Sequence, residues 1–243
     1  MSTNGEAPVD EIKRALIVMA HPDDPEFGAG ATAAKWSSEG KEVVYVIVTD
    51  GSKGSDDPEM TWEKLIPLRQ IEQRAAAKVL GVKDVIFLAH HDGELVNDQN
   101  SRREICREIR RFKPDVVITH DPTTFYSTFG GAGFVNHNDH RATGGATLDA
   151  IFPAAGNRLY FPELLAQGFE PHQVKQILMT GNPNPDFFVD VTDSVETKVE
   201  ALREHKSQIK DMDGLAKRML ERHAKIGEPH GMKYAEGFRQ LKR

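Results

Sequence analysis

The sequence predicts an α/β fold, a Rossmann-like and mostly parallel sheet with helices on both faces. Short, fully apolar, β-rich runs alternate with longer helix-like stretches along most of the chain, the pattern of repeated β-α units. Those runs lack the in-out alternation of half-exposed strands, so they read as strands buried on both faces. With 243 residues, 39% of them hydrophobic and 28% charged, the chain is long enough for one large domain and short for two.

The elements follow in order. Residues 1–12 are expected to be flexible, because the first segment, MSTNGEAPVDEIK, is polar and acidic. Ala15–Ala20 (ALIVMA) is the first strand, and a helix follows over about Gly28–Gly40. Val43–Val48 (VVYVIV) is the second strand. Thr61–Leu80 is helical, with Gly81 as its stop. Asp84–Leu88 is the third strand, Asn100–Phe112 a helix ending before Pro114, and Asp115–Thr119 (DVVIT) the fourth strand. A helix is expected over Asp139–Phe152, then strands over Val174–Met179 and Phe187–Val191. Asp193, with Glu196 three residues on, reads as a capping box opening a helix to about Gln208. The last stretch, 214–243, reads as one helix and an irregular tail.

Right-handed crossovers favour the strand order 3-2-1-4-5. In that order the chain reverses direction between strands 1 and 4. The loops after those strands then open a crevice at the carboxyl edge, where such folds bind ligands.

Composition narrows the function classes. The net charge is −6 and no long basic run occurs, which disfavours nucleic-acid binding. Arg102, Arg103, Arg107, Arg110 and Arg111 share one predicted helix with Glu104 and Glu108, and read as a solvated, ion-paired face. Cys106 is the single cysteine, so no internal disulfide forms and a cysteine-rich zinc site is excluded within one chain. No apolar run reaches membrane-spanning length and no signal-peptide core opens the chain. The expectation is a cytoplasmic protein with no membrane partner.

The chemistry lies on the two loops that the topology brings together. After strand 1 stands Ala20-His21-Pro22-Asp23-Asp24-Pro25-Glu26. After strand 4 a glycine-rich loop, 121–136, leads to His137-Asn138-Asp139-His140. Two imidazoles and a carboxylate suit a borderline cation such as zinc, and a catalytic zinc keeps three protein ligands and a position for water. His21, Asp24 and His140 are the candidate ligands. Fe2+, Co2+ or Mn2+ would also be accepted by such a set. Asp23 is then placed to take a proton from a metal-activated water, while His137 with Asp139 stabilises the oxyanion and protonates the leaving amine. The same residues alone make an ordinary polar turn, since Asp-Asp-Pro is a common turn sequence. Their meeting at the switch point favours function.

At these residues the chain resembles the family of N-acetylglucosaminylphosphatidylinositol de-N-acetylases (PIG-L) and LmbE-like proteins. The resemblance rests on Ala20–Asp24 and His137–His140. It is extended by Thr49-Asp50-Gly51, Arg69 with Glu72, Leu80-Gly81, Asp92–Leu95, Arg111–Asp115, Asp139–Gly144, His205–Gln208 and Tyr234–Glu236. It implies zinc on His21, Asp24 and His140, Asp23 as general base, and an acid or electrostatic role for His137 tuned by Asp139. It also implies Arg69 and Asp92 contacting a polar or sugar substrate, a small N-acetylated sugar or conjugate as partner, and a homo-oligomer, trimeric or hexameric. One departure stands out: many members carry a glutamate directly after the second aspartate, whereas here Pro25 intervenes before Glu26. Glu26 is thus expected only as a supporting group around the metal.

Other motifs compete. Gly28-x-Gly30-x-x-Ala33, with Asp50 further on, fits a loose dinucleotide fingerprint. Its glycines stand seven residues beyond the strand, behind a run of carboxylates that would repel pyrophosphate. His90 and His91 read as surface histidines, and His205 as a residue at the edge of the site. Ser52 and Ser55 near Lys53 lack phosphate-loop spacing. Phe125, Tyr126, Phe129 and Phe134 would line or anchor the loop before His137. The sequence therefore predicts a zinc-dependent de-N-acetylase of N-acetylglucosamine-type substrates. A nucleotide-binding protein and a non-catalytic metal-binding protein are the alternatives.

Overall fold

The computed structural model describes residues 12–127 and 133–242. The expectation for residues 1–11, and for Phe129 in the loop, falls outside them. Four parallel strands form the heart of the sheet: β1 (Arg14–Met19), β2 (Glu42–Thr49), β3 (Asp84–His90) and β4 (Val116–His120). β7 (Gln176–Thr180) pairs parallel with β4. The order β3-β2-β1-β4-β7 is the predicted 3-2-1-4-5. Helices α1 (Asp24–Ser38), α2 (Trp62–Val79), α3 (Gln99–Phe112), α4 (Asn138–Asp149), α5 (Pro162–Ala166), α6 (Val195–Leu202) and α7 (Met212–Gly227) complete the domain. β5 (Tyr126–Ser127) and β6 (Phe134–Val135) form a small antiparallel pair within the loop before His137.

β1 explains why the sheet has two cores. Ala15, Ile17 and Met19 face one layer with Ala33, Trp36 and Tyr45. Leu16 and Val18 face the other with Ile105, Ile109 and Ala146. A strand buried on both faces needs apolar side chains at every position, which is why ALIVMA does not alternate.

Four sequence expectations are corrected. The tail 235–242 is not irregular: it forms β9 (Ala235–Lys242), inserted antiparallel between β7 and β8 (Phe187–Asp190). Asp193 does not cap the following helix. Ser194 precedes α6 and its hydroxyl donates to Ala31 O at 2.8 Å, so it ties α6 to α1 instead of closing a capping box. That helix also ends at Leu202 rather than near Gln208, and the chain then turns. Finally, Arg110 is not on a solvated face. It is 1% exposed and donates to the carbonyls of Ala154, Ala155, Asn157 and Tyr160. Arg107 and Arg111 do pair, both with Glu108, but that carboxylate is itself buried rather than on a solvated face.

α1 begins at Asp24, four residues before the expected start, with Pro25 in its first turn where the missing N–H costs nothing. The helix kinks at Ala29 (φ −150°, ψ 15°). A kink opens backbone groups inside the protein, and buried partners satisfy them. Glu236 on β9 accepts from Ala31 N (3.2 Å) and Thr32 N (2.8 Å). Lys198 on α6 donates to Phe27 O (2.9 Å) and to Glu236 (2.7 Å). The C-terminal strand and α6 thus brace the helix that carries Asp24.

Candidate metal centre

The two predicted loops meet at the carboxyl ends of β1 and β4. β1 runs out at Ala20, whose carbonyl accepts from both Thr49 N (2.8 Å) and Thr49 Oγ1 (2.9 Å). The chain then turns sharply enough for the His21 amide to donate to Asp24 Oδ2 at 2.8 Å. His21, Asp24 and His140 each bring one donor atom to within 4.8 Å of the others. His21 Nδ1 lies 3.1 Å from Asp24 Oδ2, and His140 Nε2 lies 3.2 Å from Asp24 Oδ1.

The far nitrogens of both rings are held. His140 Nδ1 meets Asn136 Oδ1 at 3.0 Å. His21 Nε2 meets Asp92 Oδ1 at 3.2 Å and Asp139 Oδ2 at 3.3 Å. Acceptors behind ligand imidazoles fix the ring plane and leave the other nitrogen's lone pair for a cation. A second group, His21, Asp92, His137 and Asp139, also has donors within 4.8 Å of one another. His137 is its loosest member, with contacts of 4.0 Å to both carboxylates and a side chain 41% exposed.

Charge balance points the same way. Burial lowers the basicity of His21, but hydrogen bonds to Asp139, Asp24 and Asp92 outweigh it and push its pKa up to about 12. Carboxylates converging on one imidazole call for positive charge, which a divalent cation supplies. The donor set fits such an ion.

Asp23 stands beside this group without joining either set. Its backbone sits at φ 98°, ψ −31°, a conformation L side chains rarely adopt. Two partners hold it there. Gln73 Oε1 accepts from Asp23 N at 2.7 Å. Arg69 Nη2 donates to Pro22 O at 2.5 Å and to Asp23 Oδ2 at 3.2 Å. Arg69 Nη1 donates to Gly51 O at 2.9 Å. Gly51 (φ 65°) has to be glycine, since a Cβ there would lie 2.7 Å from that guanidinium. Burial pushes the Asp23 carboxyl up to about 6, with Arg69 pulling against it.

Asp139 is fully buried and accepts from Gly93 N (2.6 Å) and Leu95 N (3.3 Å) as well as facing His21. Its contact with His137 runs through the backbone: Asp139 N donates to His137 Nδ1 at 3.2 Å. Asp92 is 5% exposed and Arg69 4% exposed. The structure therefore brings all eight predicted residues together, with Arg69 against Asp23 and Asp92 against His21. Glu26 is buried next to them, accepting from Gln73 Nε2 (3.0 Å to each oxygen) and facing His205 Nε2 at 3.0 Å.

His120, at the end of β4, was not singled out by sequence. Its ring stacks on His140 with centroids 4.1 Å apart and planes at 6°. Its Nε2 lies 3.1 Å from Ala20 N and 3.3 Å from Asp24 Oδ2, so it stands against a candidate ligand without belonging to either donor set. Burial and the neighbouring His140 lower its pKa to about 4. Gln73 was also missed. His90 pairs with Glu104 and His91 with Asp50. Gly28 and Gly30 lie within α1, against Thr180 and Lys198, rather than in a phosphate-binding turn.

The family model for PIG-L, GlcNAc-PI de-N-acetylase, matches residues 16–151, more than half of the chain. The chain belongs to the PIG-L family. Among its curated PIG-L relatives is a diacetylchitobiose deacetylase of Thermococcus kodakarensis, 34% identical over 96% of this chain and 84% of the relative. Another is a probable N-acetyl-α-D-glucosaminyl L-malate deacetylase of Bacillus anthracis, 29% identical over 81% of each chain. Among solved structures, the N,N'-diacetylchitobiose deacetylase of Pyrococcus horikoshii superposes with a TM-score of 0.87 at 30% identity, covering 97% of this chain and 86% of that one.

Proposed function

We propose that this PIG-L protein is a zinc-dependent amide hydrolase that removes acetyl from an N-acetylglucosamine-type sugar or conjugate. His21, Asp24 and His140 are its metal ligands and Asp23 its general base. The observation that carries the reading is Asp23: a carboxylate kept out of the donor set yet fixed next to it, in a strained backbone conformation, by Arg69 and Gln73. A structural metal site needs no such group. Strain maintained by surrounding contacts is characteristic of residues placed for chemistry.

A metal held there supplies Lewis-acid polarisation of the amide carbonyl and a water of lowered pKa. The protein does the rest. Asp23 takes the proton of the attacking water. The Asp139 amide donates to His137 Nδ1, so a neutral His137 carries its hydrogen on Nε2 and offers a hydrogen bond from there to the substrate, while the proton that Asp23 took from the water passes on to the departing amine. Asp139 and Asp92 orient His21. Arg69, expected to read the sugar, acts in this proposal on Asp23, and Asp92 acts on His21. The deacetylases among the relatives support the substrate class.

The test is acetate release from N-acetylglucosamine and N,N'-diacetylchitobiose. Chelation should abolish activity, and zinc should restore it in preference to iron, cobalt or manganese. Full activity in metal-free protein, or no acetate released by zinc-loaded protein, overturns the reading.

A further inference from the structure

The donor set has two different sides. On one stand Asp23, Arg69, Asp92 and His137. On the other, Asp24, His120 and His140 form the inner wall of a cavity of about 720 Å³ to which none of those four contributes. The outer part of this cavity is built from Phe27, Tyr126 and Pro183, with Asn182. Its polar lining is largely engaged. Asp121 accepts from Thr123 N (2.7 Å), from the Thr123 hydroxyl (2.6 Å) and from the Asn182 amide. Arg222, the one arginine or lysine among the lining residues described, feels the nearby Glu236 carboxylate.

We infer that this cavity receives the acyl side of the scissile amide, and that the enzyme hydrolyses N-acyl amino sugars whose acyl chain is longer than acetyl. The inference rests on the amide-hydrolase reading above and extends its substrate class. The group that protonates a leaving amine has to lie beside the nitrogen. Asp23 and His137 therefore mark the side on which the nitrogen and its sugar sit. In a planar amide the acyl substituent leaves the carbonyl carbon in the opposite sense from the nitrogen, towards Asp24, His140 and the cavity behind them. The reaction is ordinary hydrolysis: the C–N bond breaks, the water oxygen joins the carbonyl carbon, and the products are a fatty carboxylate and the protonated amino sugar.

Size supports the assignment. A cavity of about 720 Å³ lies in the range that holds a whole drug-sized ligand, and one methyl group would leave nearly all of it to water. Each methylene buried against apolar walls strengthens binding roughly fourfold. Chains of four to six carbons should therefore gain affinity along Phe27, Tyr126 and Pro183.

The experiment measures kcat/KM of the zinc-loaded enzyme for N-acetyl-, N-butyryl- and N-hexanoylglucosamine, and for N,N'-diacetylchitobiose. The expected butyryl-to-acetyl ratio is one or above. Asn182→Trp, which fills the cavity, should lower the longer-to-acetyl ratios by about tenfold or more, the scale of discrimination an apolar pocket gives for small changes in chain length. Phe27→Ala, which enlarges the cavity, should raise the hexanoyl-to-acetyl ratio, and it reads the same wall if the tryptophan variant does not fold. Acetyl hydrolysis with a wild-type butyryl-to-acetyl ratio below one overturns the acyl assignment and leaves the deacetylase reading intact. So does a variant that shifts the chitobiose-to-monosaccharide ratio but not the acyl ratios, which would put the sugar in the cavity. Hydrolysis of none of the four substrates overturns both.

Discussion

Replacing Gln73 by Leu removes the least replaceable support of Asp23. Gln73 is fully buried on α2, and its amide serves two masters: Oε1 accepts from the Asp23 amide, and Nε2 donates to both oxygens of Glu26. Leucine matches the shape and supplies neither. Each buried polar group left without its partner costs about 1–3 kcal/mol, and two are affected. The strained Asp23 backbone returns about 1–3 kcal/mol when it relaxes. The net loss is about 2–3 kcal/mol, which in a chain of this size lowers Tm by roughly 5–10 °C. The catalytic consequence is larger. Relaxation of the turn moves the Asp23 carboxylate, and a displacement of about 1 Å costs on the order of a hundredfold in rate. The hydrogen bonds of Gln73 go to Asp23 and Glu26 and not to His21, Asp24 or His140, so bound metal should stay near wild type. The assay is acetate release at saturating substrate, with metal content and Tm measured on the same sample. A kcat within a factor of about three of wild type, with metal bound, refutes the claim that Gln73 positions the base.

Two further comparisons separate roles. Asp23→Ala should keep its metal while kcat falls by about a hundredfold or more, whereas His140→Ala should lose metal and activity together; elemental analysis beside the kinetics distinguishes them. Glu236 is the second. Burial opposes its ionisation, but Lys198 and His223 hold its carboxyl well below the ordinary carboxylate range. A depressed folded-state pKa contributes stability that is fully present above the unfolded value, near 4.5, and fades as the pH falls below it. Glu236→Gln strands Lys198 and should cost about 3–5 kcal/mol at pH 7. The Tm gap between wild type and variant should then narrow as the pH falls from 7 to 3.5, and a gap that widens towards acid refutes the assignment.

The parallel heart of the fold was legible because burial on both faces leaves its mark on every residue of a strand. ALIVMA and VVYVIV read as strands for that reason, and the alternation of strand runs with helical patterns favours the order 3-2-1-4-5, although β3 at the sheet edge is only partly buried. β9 was illegible for the converse reason. Ala235–Lys242 (AEGFRQLK) packs Ala235, Glu236 and Phe238 inward and leaves its second half at the surface, so its pattern resembles a tail. Its most deeply buried charge, Glu236, belongs to a kink in α1 some two hundred residues away in sequence. Arg110 misled in the same way. Its spacing to glutamates fits an exposed helix face, yet what it satisfies are four carbonyls beyond α4, acceptors that no local pattern records.

The site divides along the same line. His21, Asp23, Asp24, His137, Asp139 and His140 were legible because they cluster on the two loops flanking the switch point. His120 had a signal too, as the last residue of the strand that forms that switch point. Gln73 had none, since an amide on a helix acquires meaning only once the strained turn beside it is known.

The choice of reaction rests on the site and not on the fold. The 4-carboxy-2-hydroxymuconate hydratase GalB of Pseudomonas putida shares this fold with a TM-score of 0.78 at 23% identity, over 95% of this chain. A likeness of that degree concerns the backbone, and one backbone serves many chemistries. A hydratase and an amidase both have to deliver water to an unsaturated carbon, so metal ligands alone do not separate them. An amidase has a further obligation: its leaving nitrogen is a poor leaving group until protonated, and the proton has to come from the side where the nitrogen lies. In this chain His137 is oriented beside the donor set by a backbone amide at 3.2 Å rather than by a carboxylate. The neutral ring then presents its proton on the nitrogen facing away from Asp139. Burial and the proximity of His21 both lower the basicity of His137, which keeps the ring neutral. The arrangement suits a group that donates a neutral hydrogen bond to the substrate rather than one that keeps positive charge beside it. With Asp23 placed to take a proton from the water and pass it to the nitrogen, it is the local reason to propose amide hydrolysis for this member of the fold.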